Sequence, residues 1–305
     1  FQAEDGIRDS STSRGLGDVY KRQSYGWASA GRFHHAQSQL HRFLNCIGGY
    51  TRSKFTYSFA AAEAMVPHIL GSYRAYLDTC TSWDSIEENT ELFVCFGGVP
   101  LKNGQIAQGG TGSHNQKEKL ISSAKAGIRF VNLSPLKSDL LDEVKGKWLP
   151  LRPNTDVAIM LGLAHTLYKE NLYSEIFIKK YTEGFDIFLP YLLGDLDGVV
   201  KDANWASEIS EISSDEIISL ARDMSSKRTM ISVSWSLTRQ DHGEQPFWAA
   251  IMLASMLGQI GLPGGGFGFG YSATNHIGGQ FSIIPGASYP QSDNKIDNFI
   301  PVARI

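Results

Sequence analysis

Cysteine is scarce in this sequence, and no two cysteines are close enough along the chain to form a C-x-x-C pair. The three cysteines are Cys46, Cys80 and Cys95. Their odd number and wide spacing give no disulfide framework, zinc motif or iron–sulfur motif in these residues. Cys95 stands in an apolar run, and we expect it to be a small buried side chain.

Long apolar runs and a strong net charge are also lacking. No apolar stretch reaches the roughly 18 residues that a membrane span needs, and the longest candidate, Trp248 to Ile260, is predicted to be a core helix. The net charge of the 305 residues is -3, without the clustered Lys and Arg that a nucleic-acid partner requires. A hydrophobic content of 42% is enough for a sizeable globular core.

The two ends of the chain carry no recognisable terminal elements. Residues 1–23 lack a start methionine and the apolar segment of a signal peptide. They resemble translated sequencing adapter, so we interpret them as non-native; the alternative is a natural, unstructured N-terminus. The sequence is therefore predicted to be an internal fragment, with a partial α/β domain over residues 24–83 and a larger α/β domain over residues 84–305.

Apolar runs alternate with helical periodicity along the middle of the chain. We predict strands at Glu91–Phe96, Gly127–Leu133 and Thr229–Ser234 and helices at Phe33–Ile47, Ala60–Tyr76, Gln116–Ala126, Thr155–Glu170, Leu172–Tyr181, Ser214–Ser225 and Phe247–Leu257. This alternation predicts an α/β fold with a mostly parallel sheet flanked by helices. Ligands of such sheets bind at the carboxyl ends of the strands.

Three features of the sequence are candidates for ligand binding. The glycine run Leu262–Ser272 fits neither a P-loop nor a Rossmann fingerprint, and it is either an anion-binding loop or a flexible connector. Arg239 either holds a diphosphate or makes a surface salt bridge. His242 and Glu244 favour a satisfied polar loop over a metal site. Together these residues indicate a phosphate-rich or nucleotide-like ligand. Separately, Thr155 is the predicted N-cap of a helix, and Asp156 lies in its first turn.

Eight collinear stretches, beginning at Ser24, carry a resemblance to a known family. The sequence resembles the molybdopterin oxidoreductases of the dimethyl sulfoxide reductase type. The resemblance implies a dinucleotide-binding-like α/β fold within a larger multidomain molybdoenzyme. The stretches are SYGWASAGRFH, YSFAAAEAMVPH, ENTELFV, VPLKNGQI, PNTDVAIMLGLAHTLY, FIKKYTEGFDIFLPYL, KRTMISVSWSLTRQDHGEQ and ASMLGQIGLPGGGFGFGYS.

The resemblance implies three residues at the metal. Ser58 matches a serine that binds molybdenum through its side-chain oxygen, which is typical of this branch. Trp27 matches a tryptophan that hydrogen-bonds an oxygen on the metal, and Tyr25 a tyrosine at the same oxygen that favours S-oxide over N-oxide substrates. Nitrate reductases and formate dehydrogenases usually carry Asp, Cys or selenocysteine in place of Ser58, so another substrate is an alternative that Ser58 disfavours.

The resemblance also implies the cofactor, molybdenum bound by two molybdopterin guanine dinucleotides. Asp156 would accept hydrogen bonds from a guanine edge, and Lys102 and Arg239 would balance diphosphate charge. Ser134 and Asn103 depart from the residues most common at their positions, Asp and Thr. The implied cofactor contacts are Trp27, Lys102, Asn103, Leu133, Ser134, Asn154, Thr155, Asp156, Trp235, Ser236 and Arg239.

The activity implied is removal of an oxygen atom from S-oxides or N-oxides such as dimethyl sulfoxide, trimethylamine N-oxide, and biotin or methionine sulfoxide. The metal accepts the oxygen, and two electrons and two protons then release water. A c-type cytochrome or a reductase would donate the electrons. We expect a periplasmic protein, or a cytoplasmic one if it is closer to biotin sulfoxide reductases. The third alternative for the function, besides the oxide reductase and an enzyme with another substrate, is an inactive fragment that binds no metal on its own.

Overall fold

The computed structural model of the chain describes residues 35–104, 113–279 and 288–304. These residues form two compact units, one of residues 35–54 and 288–304, the other of residues 55–104 and 113–279. The predicted segment 1–23, Tyr25 and Trp27 lie outside the described residues. The predicted domain boundaries at residues 24–83 and 84–305 stay predictions.

The smaller unit is built on a two-stranded parallel sheet. Strand β1 (Arg52–Lys54) pairs with β7 (Phe299–Pro301), which leads into a 3₁₀ turn at Val302–Arg304. Helix α1 (Ala36–Cys46) precedes β1. The predicted end of this helix at Gly48 and Gly49 is confirmed, because both glycines have positive φ angles.

The larger unit contains a five-stranded sheet in which every paired strand is parallel. The strands lie in the order β4-β3-β2-β5-β6. Their bounds are β2 Leu92–Phe96, β3 Arg129–Leu133, β4 Lys147–Leu149, β5 Thr229–Val233 and β6 Gly266–Phe269. The two central strands, β2 and β5, are buried at every position, as expected for a parallel sheet covered on both faces. The predicted fold class is confirmed, and Cys95 is a fully buried residue of β2.

Part of the glycine run is a strand, so both of its predicted interpretations are wrong for these residues. Gly266 to Phe269 pair in register with β5 from Met230 to Val233. Gly268 is needed because a Cβ there would lie 2.1 Å from the ring of Tyr271. The Tyr76 hydroxyl donates to the Phe267 carbonyl at 2.6 Å. The aromatic residues Tyr76 and Tyr271 therefore contact the backbone of β6, at positions where a strand without glycines would have side chains.

Helices cover the sheet and mostly begin where the sequence predicts. Pro67 starts a new helix, so the predicted helix Ala60–Tyr76 is divided into three shorter helices. The predicted helix from Leu172 begins only at Glu175, where the Ser174 hydroxyl accepts from Phe177 N. The bounds are α2 Ala60–Met65, α3 Pro67–Leu70, α4 Tyr73–Asp78, α5 Trp83–Asn89, α6 Leu101–Gly104, α7 Gln116–Lys125, α8 Asp156–Lys169, α9 Glu175–Tyr181, α10 Phe185–Leu193, α11 Ala203–Ser210, α12 Ser214–Ser226 and α13 Gln245–Leu257.

Helix α13 confirms the core helix predicted in Trp248–Ile260, although it begins at Gln245 and ends at Leu257, and most of its residues are buried. No helix in the described part of the chain is long and apolar enough to cross a membrane. Shorter 3₁₀ turns lie at Lys137–Asp139, Asp142–Val144 and Trp235–Thr238.

The strand order changes direction between β2 and β5. From β2 the chain proceeds to β3 and β4 on one side, and it then returns to β5 and β6 on the other. A crevice forms at the carboxyl ends of the two strands at such a switch point, because their connections leave in opposite directions. The switch point of this sheet is therefore where a ligand is expected.

Candidate functional site

Two glycines at the end of β2 allow the loops of the switch point to pack closely. Gly97 and Gly98 have φ angles of +78° and +72°, a region that side chains disfavour. A Cβ on Gly97 would lie 2.4 Å from Leu237, in the turn after β5. A Cβ on Gly98 would lie 2.4 Å from the carbonyl oxygen of Asp139, in the turn after β3. The loops after β3, β2 and β5 thus meet at one edge.

Asp139 connects two of the predicted cofactor contacts and was not predicted itself. The Ser134 hydroxyl donates to the Asp139 carboxylate at 2.6 Å, and Lys102 Nζ lies 3.6 Å from the same carboxylate. The Lys102 side chain is 67% exposed, so it can turn towards a ligand. The sequence gives only one signal for Asp139: it is an acidic residue shortly after the end of a strand.

Leu133 and Ser134 bring backbone groups to the same edge. Leu133 is the buried last residue of β3, and its carbonyl accepts from Gly97 N at 2.9 Å. The Ser134 carbonyl accepts from the indole of Trp148 at 2.8 Å. Asn103 lies in α6 next to Lys102. These contacts fix the loop after β3 against the neighbouring strands.

Asp156 is a buried carboxylate at the start of α8, beyond the end of β4. Its side chain is only 5% exposed, and burial raises its pKa to about 6, although its own backbone N–H opposes the shift. Asn154 precedes it with a φ of +66°. Thr155 occupies the N-cap position as predicted, but its hydroxyl donates to the Arg152 carbonyl at 2.6 Å and makes no capping bond. A buried carboxylate at a helix N-terminus is well placed to accept hydrogen bonds from a ligand.

The loop after β5 brings Ser58 to the switch point. Arg239 Nη1 donates to the Ser58 carbonyl at 3.0 Å, across 181 residues of sequence. The hydroxyl of Thr238 lies 3.1 Å from the same carbonyl. Arg239 therefore contacts the predicted metal ligand, and the described residues show no salt bridge for it; its role towards a diphosphate stays a prediction.

Two further predicted residues lie in the same loop. Trp235 is buried, and its ring lies 4.2 Å from that of Phe59, the neighbour of Ser58. Ser236 is exposed, and its hydroxyl lies 2.9 Å from the hydroxyl of Ser234. His242 is exposed and Glu244 is half-buried, with the ring and the carboxylate 3.7 Å apart. The two residues thus form the polar turn that the sequence predicted.

Gly270 packs against the Trp235 ring, so replacing this glycine with alanine is expected to destabilise the protein. A Cβ there would lie 2.2 Å from Trp235 Nε1, at a φ of +86°. Gly270→Ala is expected to lower the free energy of unfolding by about 2–5 kcal/mol, from the left-handed backbone and the displaced indole together. Urea unfolding of the full-length protein measures the loss.

Gly261→Ala is the matched control for this substitution. Its φ of +85° is nearly the same, but a Cβ there would meet nothing within 4 Å. Only the backbone cost of about 1–2 kcal/mol is expected. Equal losses for the two variants would show that Gly270 does not hold the Trp235 ring.

The described residues place the predicted contacts along one edge of the sheet. In spatial order, Asn154 to Asp156 follow β4, Ser134 follows β3, Lys102 follows β2, and Trp235 to Arg239 follow β5. Ser58 joins this row through Arg239. A row of polar groups across four strand ends suits an elongated ligand such as a dinucleotide.

Comparison with known proteins identifies the family. The family model described as molybdopterin oxidoreductase matches residues 17–301. The chain belongs to this family. Membership implies a molybdenum–pterin cofactor, and the buried Asp156 carboxylate offers hydrogen-bond acceptors that fit the polar end of such a group. In the described part of the molybdopterin oxidoreductase chain, no group of three or more His, Cys, Asp or Glu side chains is arranged to hold a metal ion.

Several relatives of this molybdopterin oxidoreductase chain are curated reductases. It is 45% identical to the biotin sulfoxide reductase of Cereibacter sphaeroides, over 92% of this chain and 38% of that protein. It is 44% identical to the dimethyl sulfoxide/trimethylamine N-oxide reductase of Rhodobacter capsulatus, over 81% of this chain and 30% of that protein. The trimethylamine-N-oxide reductase of Haemophilus influenzae is 41% identical, with 92% and 35% covered. The chain thus spans about a third of the length of these relatives.

A solved structure agrees with the fold alone. The acetylene hydratase from Pelobacter acetylenicus aligns with a TM-score of 0.50 at 20% sequence identity, over 73% of this chain and 28% of that one. This similarity supports the mixed α/β architecture.

Proposed function

We propose that the full-length protein carrying this chain is a molybdenum-dependent reductase that removes an oxygen atom from S-oxides or N-oxides. The observation that carries the proposal is Ser58, whose backbone is held at the switch point of the sheet by Arg239 and Thr238. A serine at this point offers the metal an oxygen ligand, in the place where nitrate and formate enzymes of the family use other residues. The identities with sulfoxide and N-oxide reductases support the same substrate class.

We propose the guanine dinucleotide form of the cofactor. The buried carboxylate of Asp156 would offer two oxygens to the two adjacent donors of a guanine edge. Lys102, in α6 after β2, and Arg239, after β5, would supply the positive charge that balances a diphosphate. When bound, the cofactor supplies the two-electron redox chemistry and accepts the oxygen atom.

The roles of the protein residues follow from their positions. Ser58 would bind the metal through its side-chain oxygen, and Trp235, packed on Phe59, shapes the wall beside it. Tyr25 and Trp27 would hold the transferred oxygen by hydrogen bonds, as their sequence positions predict. Electrons would come from a separate donor, a c-type cytochrome or a reductase, and we propose a periplasmic location, with a cytoplasmic one as the alternative.

Oxidation of a reduced viologen by the full-length protein tests the proposal. Dimethyl sulfoxide, trimethylamine N-oxide, biotin sulfoxide and methionine sulfoxide are compared side by side. We expect turnover of at least one oxide, and Tyr25 leads us to expect the S-oxides to be reduced faster than the N-oxide. A protein that holds molybdenum but reduces none of the four would contradict the proposed substrate class.

A further inference from the structure

The backbone of Ser58 is held by the loop after β5, which also carries the predicted cofactor contacts Trp235, Ser236 and Arg239. The carbonyl oxygen of Ser58 accepts from Arg239 Nη1 at 3.0 Å and faces the Thr238 hydroxyl at 3.1 Å. The single hydroxyl hydrogen of Thr238 is shared with the Trp235 carbonyl, 2.8 Å away. One side chain therefore ties Ser58 to the turn that follows β5.

The neighbour of Ser58 is held by the same turn. The ring of Phe59 lies 4.2 Å from the ring of Trp235 and 5.8 Å from that of Tyr73. Trp235 and Tyr73 are both buried. Ser58 and Phe59 are thus fixed through a polar contact on one residue and an apolar contact on the next.

Gly243 explains how the loop after β5 keeps this shape. A Cβ at Gly243 would lie 2.1 Å from the Thr238 carbonyl oxygen and 2.8 Å from Thr238 Cα. The bond from Gln245 N to the His242 carbonyl, 2.9 Å long, closes the turn around the glycine. The stretch His242 to Gln245, predicted to be a polar loop, packs through Gly243 against the residue that contacts Ser58.

We propose that Trp235, Thr238, Arg239 and Gly243 form a Ser58 clamp, which positions the serine for the metal through its backbone. The contacts of Thr238 and Arg239 reach the Ser58 carbonyl rather than its hydroxyl, so the clamp acts on the main chain. This inference rests on the proposed function, because it assigns the clamp to the serine that we propose as the metal ligand. Thr238 and Gly243 are positioning residues, since neither is itself a predicted cofactor contact: Thr238 acts through the Ser58 and Trp235 carbonyls, and Gly243 acts through Thr238.

Thr238 is the clean probe, because Arg239 is also a predicted cofactor contact. Thr238→Val keeps the shape of the side chain and removes the hydroxyl, whereas Thr238→Ser keeps the hydroxyl. Hydrogen exchange of backbone amides 55–60 in the full-length holoenzyme is expected to become about two- to tenfold faster in the valine variant, the range for one lost hydrogen bond. The serine variant should exchange at the wild-type rate.

Two further readouts separate positioning of the metal ligand from general loosening. The EPR spectrum of the bound molybdenum is expected to change in Thr238→Val and to return to wild type in Thr238→Ser. Gly243→Ala provides a second route to the same effect, because its Cβ would displace the Thr238 carbonyl. Wild-type exchange at residues 55–60 in both Thr238→Val and Gly243→Ala would overturn the clamp.

The Ser58→Ala background distinguishes failure of the clamp from failure of the proposed function. Adding Thr238→Val to Ser58→Ala should still speed exchange at residues 55–60, because the clamp acts on the backbone carbonyl. An effect in this background supports the clamp without depending on the metal. Full molybdenum retention by Ser58→Ala would contradict the ligand role of Ser58 and hence the proposed purpose of the clamp. If amides 55–60 exchange no faster in the double variant than in Ser58→Ala, the clamp itself is overturned.

Discussion

Ser58→Ala is expected to reduce oxide turnover by more than about a hundredfold, with partial or complete loss of molybdenum from the purified full-length protein. Loss of a residue that merely supports a metal ligand typically costs 10–100-fold, and removal of the ligand itself should cost more. The clamp on the Ser58 carbonyl would persist in this variant, because only the side chain is deleted. Metal analysis and the reduced-viologen assay measure the two effects.

Two variants make the Ser58 result specific. Ser58→Thr keeps a hydroxyl oxygen and is expected to retain molybdenum. Ser53→Ala deletes a hydroxyl from an exposed strand residue of the smaller unit and should leave turnover and metal content unchanged. Near-wild-type turnover with full metal content in Ser58→Ala would remove Ser58 from the site.

Asp156→Asn is expected to stabilise the cofactor-free protein at neutral pH and to weaken its hold on the cofactor. Burial raises the pKa of Asp156 from 3.8 to about 6 in the folded chain, so the folded state favours the protonated form. The stabilising contribution of that proton is complete below the unfolded pKa and is lost as the pH rises through about 6. At pH 7.5 the ionised carboxylate therefore costs about 3 kcal/mol, which asparagine avoids.

The pH dependence of unfolding tests the Asp156 account. The stability gain of Asp156→Asn should be largest above pH 7, shrink as the pH falls through 6, and disappear near pH 4. Asp215→Asn is the matched control, since Asp215 is an exposed aspartate in the first turn of α12. Its effect should stay within about 0.5 kcal/mol at every pH, as for ordinary surface substitutions. A pH-independent gain for Asp156→Asn would contradict the raised pKa.

The same substitution should act in the opposite direction on the cofactor. An asparagine side chain offers one oxygen and one N–H₂ donor, which cannot match two guanine donors. Loss of charge-assisted hydrogen bonds of this kind corresponds to about ten- to a hundredfold weaker retention. Guanine nucleotide released by acid from purified Asp156→Asn, compared with wild type, measures this loss; equal amounts would separate Asp156 from the cofactor.

The central strands were predictable from the sequence because both faces of the sheet are covered. The residues of β2 and β5 are apolar or small and all buried, so each appears as a short uninterrupted run. Strand β6 was not predictable in this way, because half of its residues are glycines and its pairing with β5 is made by backbone alone. Strand β4 is only three residues long, and two of them are exposed, so it lacks a recognisable pattern.

The candidate site was predictable where residues follow strand ends and not where distant segments meet. Ser134 and Trp235 could be placed from their strands, and Asp156 from its helix. The contact between Arg239 and Ser58 joins residues 181 apart, and no periodicity signals it. Asp139 and Thr238 were missed for a related reason, because each acts through other residues. Asp139 contacts Ser134 and Lys102, whereas Thr238 contacts the Ser58 carbonyl.

Analysis of the purified full-length protein for molybdenum and for acid-released guanine nucleotide tests the central claim most directly. The claim is that the switch point between β2 and β5 binds a molybdenum cofactor in its guanine dinucleotide form, with Asp156 at one end of the polar row and Ser58 at the other. We predict that both molybdenum and guanine nucleotide are present in protein that reduces an S-oxide or N-oxide. Active protein that contains no molybdenum, or molybdenum without any guanine nucleotide, would contradict it.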